Sequence, residues 1–428
     1  MIIARAGLLV MVAVDTAMIG HYSTKHLAFY AAANAIQIVM VLIGVGLLQG
    51  TMIFVAQAHG AKSYRECGRY WQVGLINGFL LGLLMLGVCF FGEKILGSIG
   101  QSDQLSTGAA DVLRMISWGL PAMAMWVVTA FFLEGLSRPV PGMIVTILAV
   151  VLNAVLNFVF IYGNLGVAEM GAEGSALATS ITRWLMFLAL LVFVLLMSDR
   201  SSLGIGRKIP NWWETAYKLF RLGIPMGASR GLETAAFSAL TMMAGFLGNI
   251  PLAGYQIAFN LVALVFMCAI GVASAATIRV GNAVGESNSK NIIQSGWTAF
   301  ILISIIMLFF ATIFLLLGTP LAQVYTDDLS VILIAVPLIF IAGFVLVFDG
   351  GQAVLMGALR GVGDIWLPPL LQFFSWWGVA VPVAYALAFH LEIGVSGLMW
   401  GILAGSIVSC ASLGWRFSAV SRRTIKRV

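Results

Sequence analysis

The run FILISIIMLFFATIFLLL, Phe300–Leu317, is interrupted only by Ser304 and Thr312 and carries no charge. An α-helix of about 20 such residues crosses the roughly 30 Å of hydrocarbon in a bilayer. Comparable runs recur along the whole chain, for example Leu185–Met197, and they are continuous rather than alternating. Continuity selects helices over a transmembrane β-barrel, whose strands alternate apolar and polar residues. Composition agrees: 61% of the 428 residues are hydrophobic and 9% charged, against about 25% charged in soluble domains. The chain reads as an all-α polytopic membrane protein.

Apolar runs set against polar breaks predict twelve transmembrane helices, over 2–21, 27–57, 66–97, 107–135, 140–162, 174–198, 214–246, 252–282, 290–318, 329–359, 365–389 and 395–418. Arg5 stands close before Asp15, so the first helix reads as one whose natural start lies further upstream. Bases gather at alternate loops, among them Lys62, Arg65, Arg69, Arg138, Arg200, Arg207, Lys208, Arg279 and Lys290, and in the tail Arg416, Arg422, Arg423, Lys426 and Arg427. The other loops hold Glu93, Asp103, Glu169, Glu173, Asp327, Asp328 and Glu392. Bases favour the cytoplasmic side, so both termini are expected there, in a multi-pass plasma (inner) membrane protein. This asymmetry accounts for the net charge of +6 without a nucleic-acid partner. Cys67, Cys89, Cys268 and Cys410 lack CxxC spacing, and His21, His26, His59 and His390 form no ligand cluster. No disulfide framework, zinc site or cofactor is suggested.

Residues 27–60, LAFYAAANAIQIVMVLIGVGLLQGTMIFVAQAHG, lie without a gap over 252–285, LAGYQIAFNLVALVFMCAIGVASAATIRVGNAVG. Leu27, Tyr30, Gly46, Ile53, Val55 and Gly60 fall on identical residues. LEGLSR (133–138) resembles LRGVGD (359–364), and GAEGSA (171–176) echoes GVSGLM (394–399). The chain thus reads as two six-helix lobes, 1–198 and 214–428, joined by a polar cytoplasmic linker, 199–213. An even number of helices per half makes the repeats parallel, related by a pseudo-two-fold axis along the membrane normal.

Sorted by depth, the charged residues that remain as candidates inside the spans are Asp15, Arg183, Arg230, Glu233 and Asp349. A carboxylate at mid-membrane costs roughly 2.5–3.5 kcal/mol on insertion scales, so such acids are functional-site candidates first. A structural hydrogen bond to a neighbouring helix is the plainer reading of any one of them. Three acids spread over both lobes weigh against it. Arg230 precedes Glu233 by three residues and shares its helix face, so this pair can neutralise itself. Gln37, Asn153, Asn157, Gln256, Asn260 and Gln352 add neutral polar groups, suited to interhelical hydrogen bonds or to a cavity wall.

These residues resemble a known family, the multidrug and toxic compound extrusion transporters of the NorM-like group. VDTAMIGHYS (14–23), FVAQAHGA (54–61), LNAVLNFVFIYG (152–163), RLGIPMG (221–227), IRVGNAVGE (278–286) and GALRGVGD (357–364) are similar to its patterns, in order. The resemblance implies two six-helix lobes around a central cavity and export of organic cations in exchange for sodium or protons. It implies roles for Asp15, Glu233 and Asp349 as the acids of the first, seventh and tenth helices, where Glu233 and Asp349 would hold the coupling sodium or proton. It does not anticipate Arg230. The expected protein is a monomeric antiporter whose partners are small organic cations and membrane lipids. A lipid-linked oligosaccharide flippase of the same superfamily is the alternative, but its anionic substrate suits a basic interior. An integral-membrane enzyme would need a nucleophile–base or metal constellation, which the scattered His and Cys do not supply.

Overall fold

A computed structural model describes residues 2–98, 100–209, 211–423 and 427, without the side chains of 3–6. Arg5 and Lys426, both invoked above, fall outside the described side chains or residues. The helices are α1 (Ile2–Tyr22), α2 (Thr24–Leu48), α3 (Gly50–Gly60), α4 (Tyr64–Cys89), α5 (Gly92–Ser98), α6 (Asp103–Ser117), α7 (Leu120–Gly135), α8 (Val140–Tyr162) and α9 (Ala172–Leu196). There follow α10 (Trp212–Phe246), α11 (Asn249–Gly285), α12 (Ser289–Leu316), α13 (Gly318–Gln323), α14 (Leu329–Val362), α15 (Leu367–Phe373), α16 (Val381–Tyr385) and α17 (Val395–Ser421). Among the described residues 9 helices are long and apolar enough to cross a membrane, or 10 with α6 and α7 counted as one bent span. The first and seventh predicted spans, α1 and α10, complete the twelve. α10 fails the simple apolar test because Glu214, Lys218, Arg221, Arg230 and Glu233 all lie on it.

Element boundaries follow local chemistry. Gly163 and Gly363 end α8 and α14 in the left-handed region, at φ 69° and 90°, where a side chain would be strained. Asp328 caps α14 by accepting from the Ser330 amide at 2.9 Å and its hydroxyl at 2.6 Å, which holds its carboxyl below the usual range.

The twelve predicted spans are present, with four internal corrections. The span 27–57 divides at Gln49 into α2 and α3, and 66–97 ends at Cys89 before the short α5. The span 290–318 stops at Leu316 before α13. The span 107–135 is α6 and α7, bent by 45°. At that bend Gly119 lies against Ser180, where an added Cβ would come within 2.8 Å of its Cα, and Pro121 follows with no amide to donate. The eleventh span holds its helix through Pro382 by passing into π-helical turns at Phe374–Ala380 and Ala386–His390.

The repeat is visible in the element bounds. α2–α3 span 24–60 and α11 spans 249–285, the same register seen in the sequence. α4 and α5 are matched by α12 and α13, and α6–α7 by α14.

By packing, the chain forms two compact units, Ile3–Gly227 and Ala228–Val428. In the first, α7 is the buried centre, touching α3, α4 and α9. In the second, α14 has that place, against α11, α12 and α17. Residues 199–209 pack on the first unit, where Leu203 accepts from the Gly68 amide at 3.0 Å. The opening turns of α10 belong there too. Gly46 and Gly50 of α2–α3 meet Gly227 and Leu219 of α10, and Gly223 meets Leu47, so closely that a Cβ on Gly46 would lie 2.7 Å from the Gly227 Cα. Paired small-xxx-small motifs allow helices this approach in lipid, where packing replaces the hydrophobic effect.

Each unit also ties its fourth and sixth spans at one end with an ion pair. Arg138, just past α7, grips Asp199 through two hydrogen bonds of 2.8 and 3.2 Å. Asp364, just past α14, pairs with Arg416 of α17 at 2.6 Å.

Candidate functional site

Asp15 lies midway along α1 and is 1% exposed. Its carboxylate accepts from Asn157 Nδ2 of α8 at 2.5 Å, Thr179 Oγ1 of α9 at 3.2 Å and Tyr30 OH of α2 at 3.3 Å. Asn153, one helical turn from Asn157, donates to Thr179 at 3.3 Å and accepts from Asn157 at 3.3 Å. Four helices thus converge on one acid. Three neutral donors stabilise its charged form without cancelling it. The Asn157 carbonyl oxygen is buried there without a hydrogen-bond partner. Arg183, in the same unit, is directed to Gln37, whose amide oxygen accepts from both terminal nitrogens at 2.9 and 2.5 Å when oriented to satisfy the pair.

The second unit holds the other two acids. Glu233 of α10 and Asp349 of α14, 9% and 5% exposed, line one cavity. Its wall follows helical spacing. α10 contributes Glu233 and Phe237, α14 Val345 and Asp349, and α17 Met399 and Ile402, while α11 supplies Phe259, Val262, Ala263 and Phe266. Residues three or four apart share a helix face, so four helices turn one face each towards this space. The Phe237 and Phe259 rings stand 5.4 Å apart. Asp349 accepts from Gln352 Nε2 at 2.6 Å, and Gln352 in turn accepts from Ser409 of α17. Glu233 is paired with Arg230 at 3.0 Å.

The structure therefore groups Asp15 with Asn153 and Asn157, and separately Glu233 with Asp349 and Arg230. Asn260 is exposed and donates to the Gln256 backbone on its own helix at 3.3 Å. Both residues stand outside the cavity wall just described. Sequence reasoning did not single out Tyr30, Thr179, Ser409 or the aromatic wall. Tyr30 carried one usable signal, its identity with Tyr255 in the repeat. Among the described residues no three His, Cys, Asp or Glu side chains gather as a metal cluster. The chemistry available is carboxylate, amide and aromatic, suited to a proton, an alkali cation or an organic cation.

Comparison with known proteins gives a consistent picture. The MatE family model matches residues 1–159 and again 225–386, once in each half. A probable multidrug resistance protein NorM of Caulobacter vibrioides is 33% identical over 99% of this chain and 90% of its own length. One from Mesorhizobium japonicum is 32% identical over 96% and 90%. Among solved structures, the eukaryotic MATE transporter AtDTX14 superposes with TM-score 0.88 at 21% identity, over 98% of this chain and 95% of that one. An outward-facing multidrug resistance MATE family transporter of the MOP superfamily gives 0.89 at 20% identity, over 99% and 95%.

Proposed function

The chain belongs to the MatE family, and on that premise we propose that it exports organic cations across the plasma membrane in exchange for sodium or protons, by alternating access. The observation that carries this reading is the cavity in which Glu233 and Asp349 face Phe237, Phe259 and Phe266. An apolar wall with few polar groups is the usual composition of small-molecule sites. Aromatic faces attract cations, and buried carboxylates hold them because a partner offsets their desolvation. Two carboxylates on one wall disfavour an anionic lipid-linked substrate.

Coupling then needs no cofactor. A sodium ion or proton and an organic cation compete for the same carboxylates, so loading one releases the other. Moving one charge through 100 mV is worth about 2.3 kcal/mol, enough for roughly fifty-fold accumulation. Asp15, with its three donors, serves as a second ionisable station in the other unit. The direct test is efflux of ethidium from proteoliposomes under separately imposed sodium and pH gradients. Export driven by either gradient supports antiport, and export indifferent to both overturns it.

Orientation follows from loop charge. Reporters inserted after Arg138 or fused at the C-terminus are expected to read cytoplasmic, and one at Asp327 external. An external C-terminus would reverse the direction of transport proposed here.

A further inference from the structure

Glu233 does not meet the cavity with a free charge. Arg230 Nη1 stands 3.0 Å from Glu233 Oε2, one turn earlier on α10, and both side chains are largely enclosed, at 27% and 10% exposure. Asp349, on the same wall, is held by the neutral Gln352 amide at 2.6 Å. Arg360 of α14, buried with its Nε unpartnered, lies within electrostatic range of Arg230 and Glu233 and adds a second guanidinium on that side. Of the two carboxylates on the wall, one therefore has a built-in guanidinium counter-ion and the other has an amide.

We propose that Arg230 sets the charge of the cargo: with Glu233 paired to Arg230, the cavity presents Asp349 as its one carboxylate without a guanidinium in contact, and takes organic cations bearing one positive charge over those bearing two. This rests on the organic-cation reading above. A monocation pairs with Asp349 and stacks on the phenylalanines. A dication must bring its second charge near Arg230 or leave it unpaired in a poorly hydrated space, and either is costly. Selectivity here is a difference of affinities created by a repulsive element rather than by an extra contact.

Ethidium and propidium share one phenanthridinium ring and differ by a second quaternary ammonium, so they serve as the probes. In the purified, unmodified protein, equilibrium binding is expected to favour ethidium by about tenfold. Arg230→Gln is expected to move the ratio towards propidium by about tenfold, or about 1.4 kcal/mol, while Arg230→Lys keeps the original preference. Equal affinity for both dyes in the unmodified protein would overturn the inference without any variant having to fold. So would an Arg230→Gln protein that shifts both dyes alike. Ethidium export with no preference between the dyes removes this inference alone, whereas absence of ethidium export removes the transport reading beneath it.

Discussion

Asp349→Asn is expected to lower the initial rate of ethidium efflux by about a hundredfold while the protein still inserts and purifies normally. Removing one partner of a buried charge interaction costs about 2–5 kcal/mol, and a hundredfold corresponds to about 2.7 kcal/mol. Asparagine matches aspartate in shape, so the loss reports charge rather than packing. Gln352 donates to Asp349 through an amide that can turn to suit an asparagine. Glu233→Gln is expected to impair efflux too, by a different route: it leaves Arg230 beside the cavity with no carboxylate to pair with. Efflux rates in proteoliposomes, normalised to inserted protein, check both. Full efflux in both variants would reduce these acids to structural residues.

Binding of a monocation is expected to weaken steeply with acid. Protonating Asp349 would remove the negative charge proposed to attract the cargo, so affinity is expected to fall as acid protonates it. If one proton leaves for each cation bound, the dissociation constant rises by about tenfold per pH unit on the acid side. Sodium acts by the same competition, raising the apparent constant in proportion to its concentration once the site is half filled. Equilibrium dye binding across sodium and pH titrations measures both slopes, with Asp349→Asn expected to flatten them. Dye affinity independent of both ions in the unmodified protein would dispose of the shared site.

Much of this architecture was legible in the sequence because the physics behind it is coarse. A bilayer demands long apolar runs, and gene-scale repetition leaves an ungapped register, so α2–α3 and α11 were placed within a few residues. The acids stood out because each is expensive where it lies. The helix breaks did not, since Gln49 is a single polar residue inside a long span and hydrophobicity continues through Phe90–Phe91 and Trp118–Gly119. The cavity wall was hidden for a related reason. In helices apolar on every side, Phe237 or Phe266 cannot be told from a lipid-facing phenylalanine until neighbouring helices take up their positions. Thr179 and Ser409 were equally silent, being small hydroxyls of a kind that commonly bond their own helix backbone. Gln256 and Asn260 show the converse: polar side chains in a span whose helix turns them away from the cavity wall.

A duplicated chain carries its own best decoy, because each half offers the other a near-copy of the surfaces it must recognise. The ion pairs that join the fourth and sixth spans bear on that hazard. Arg138 and Asp364 hold corresponding places in the repeat, yet their charges are opposite, and so are those of their partners Asp199 and Arg416. Were the halves to exchange partners while the polypeptide is still being synthesised, Arg138 would face Arg416 and Asp364 would face Asp199. Each such encounter sets like against like, which disfavours the crossed assembly while leaving both correct ones intact. Inverted polarity at one matched position would thus act as an address label, by which each newly made half closes on itself.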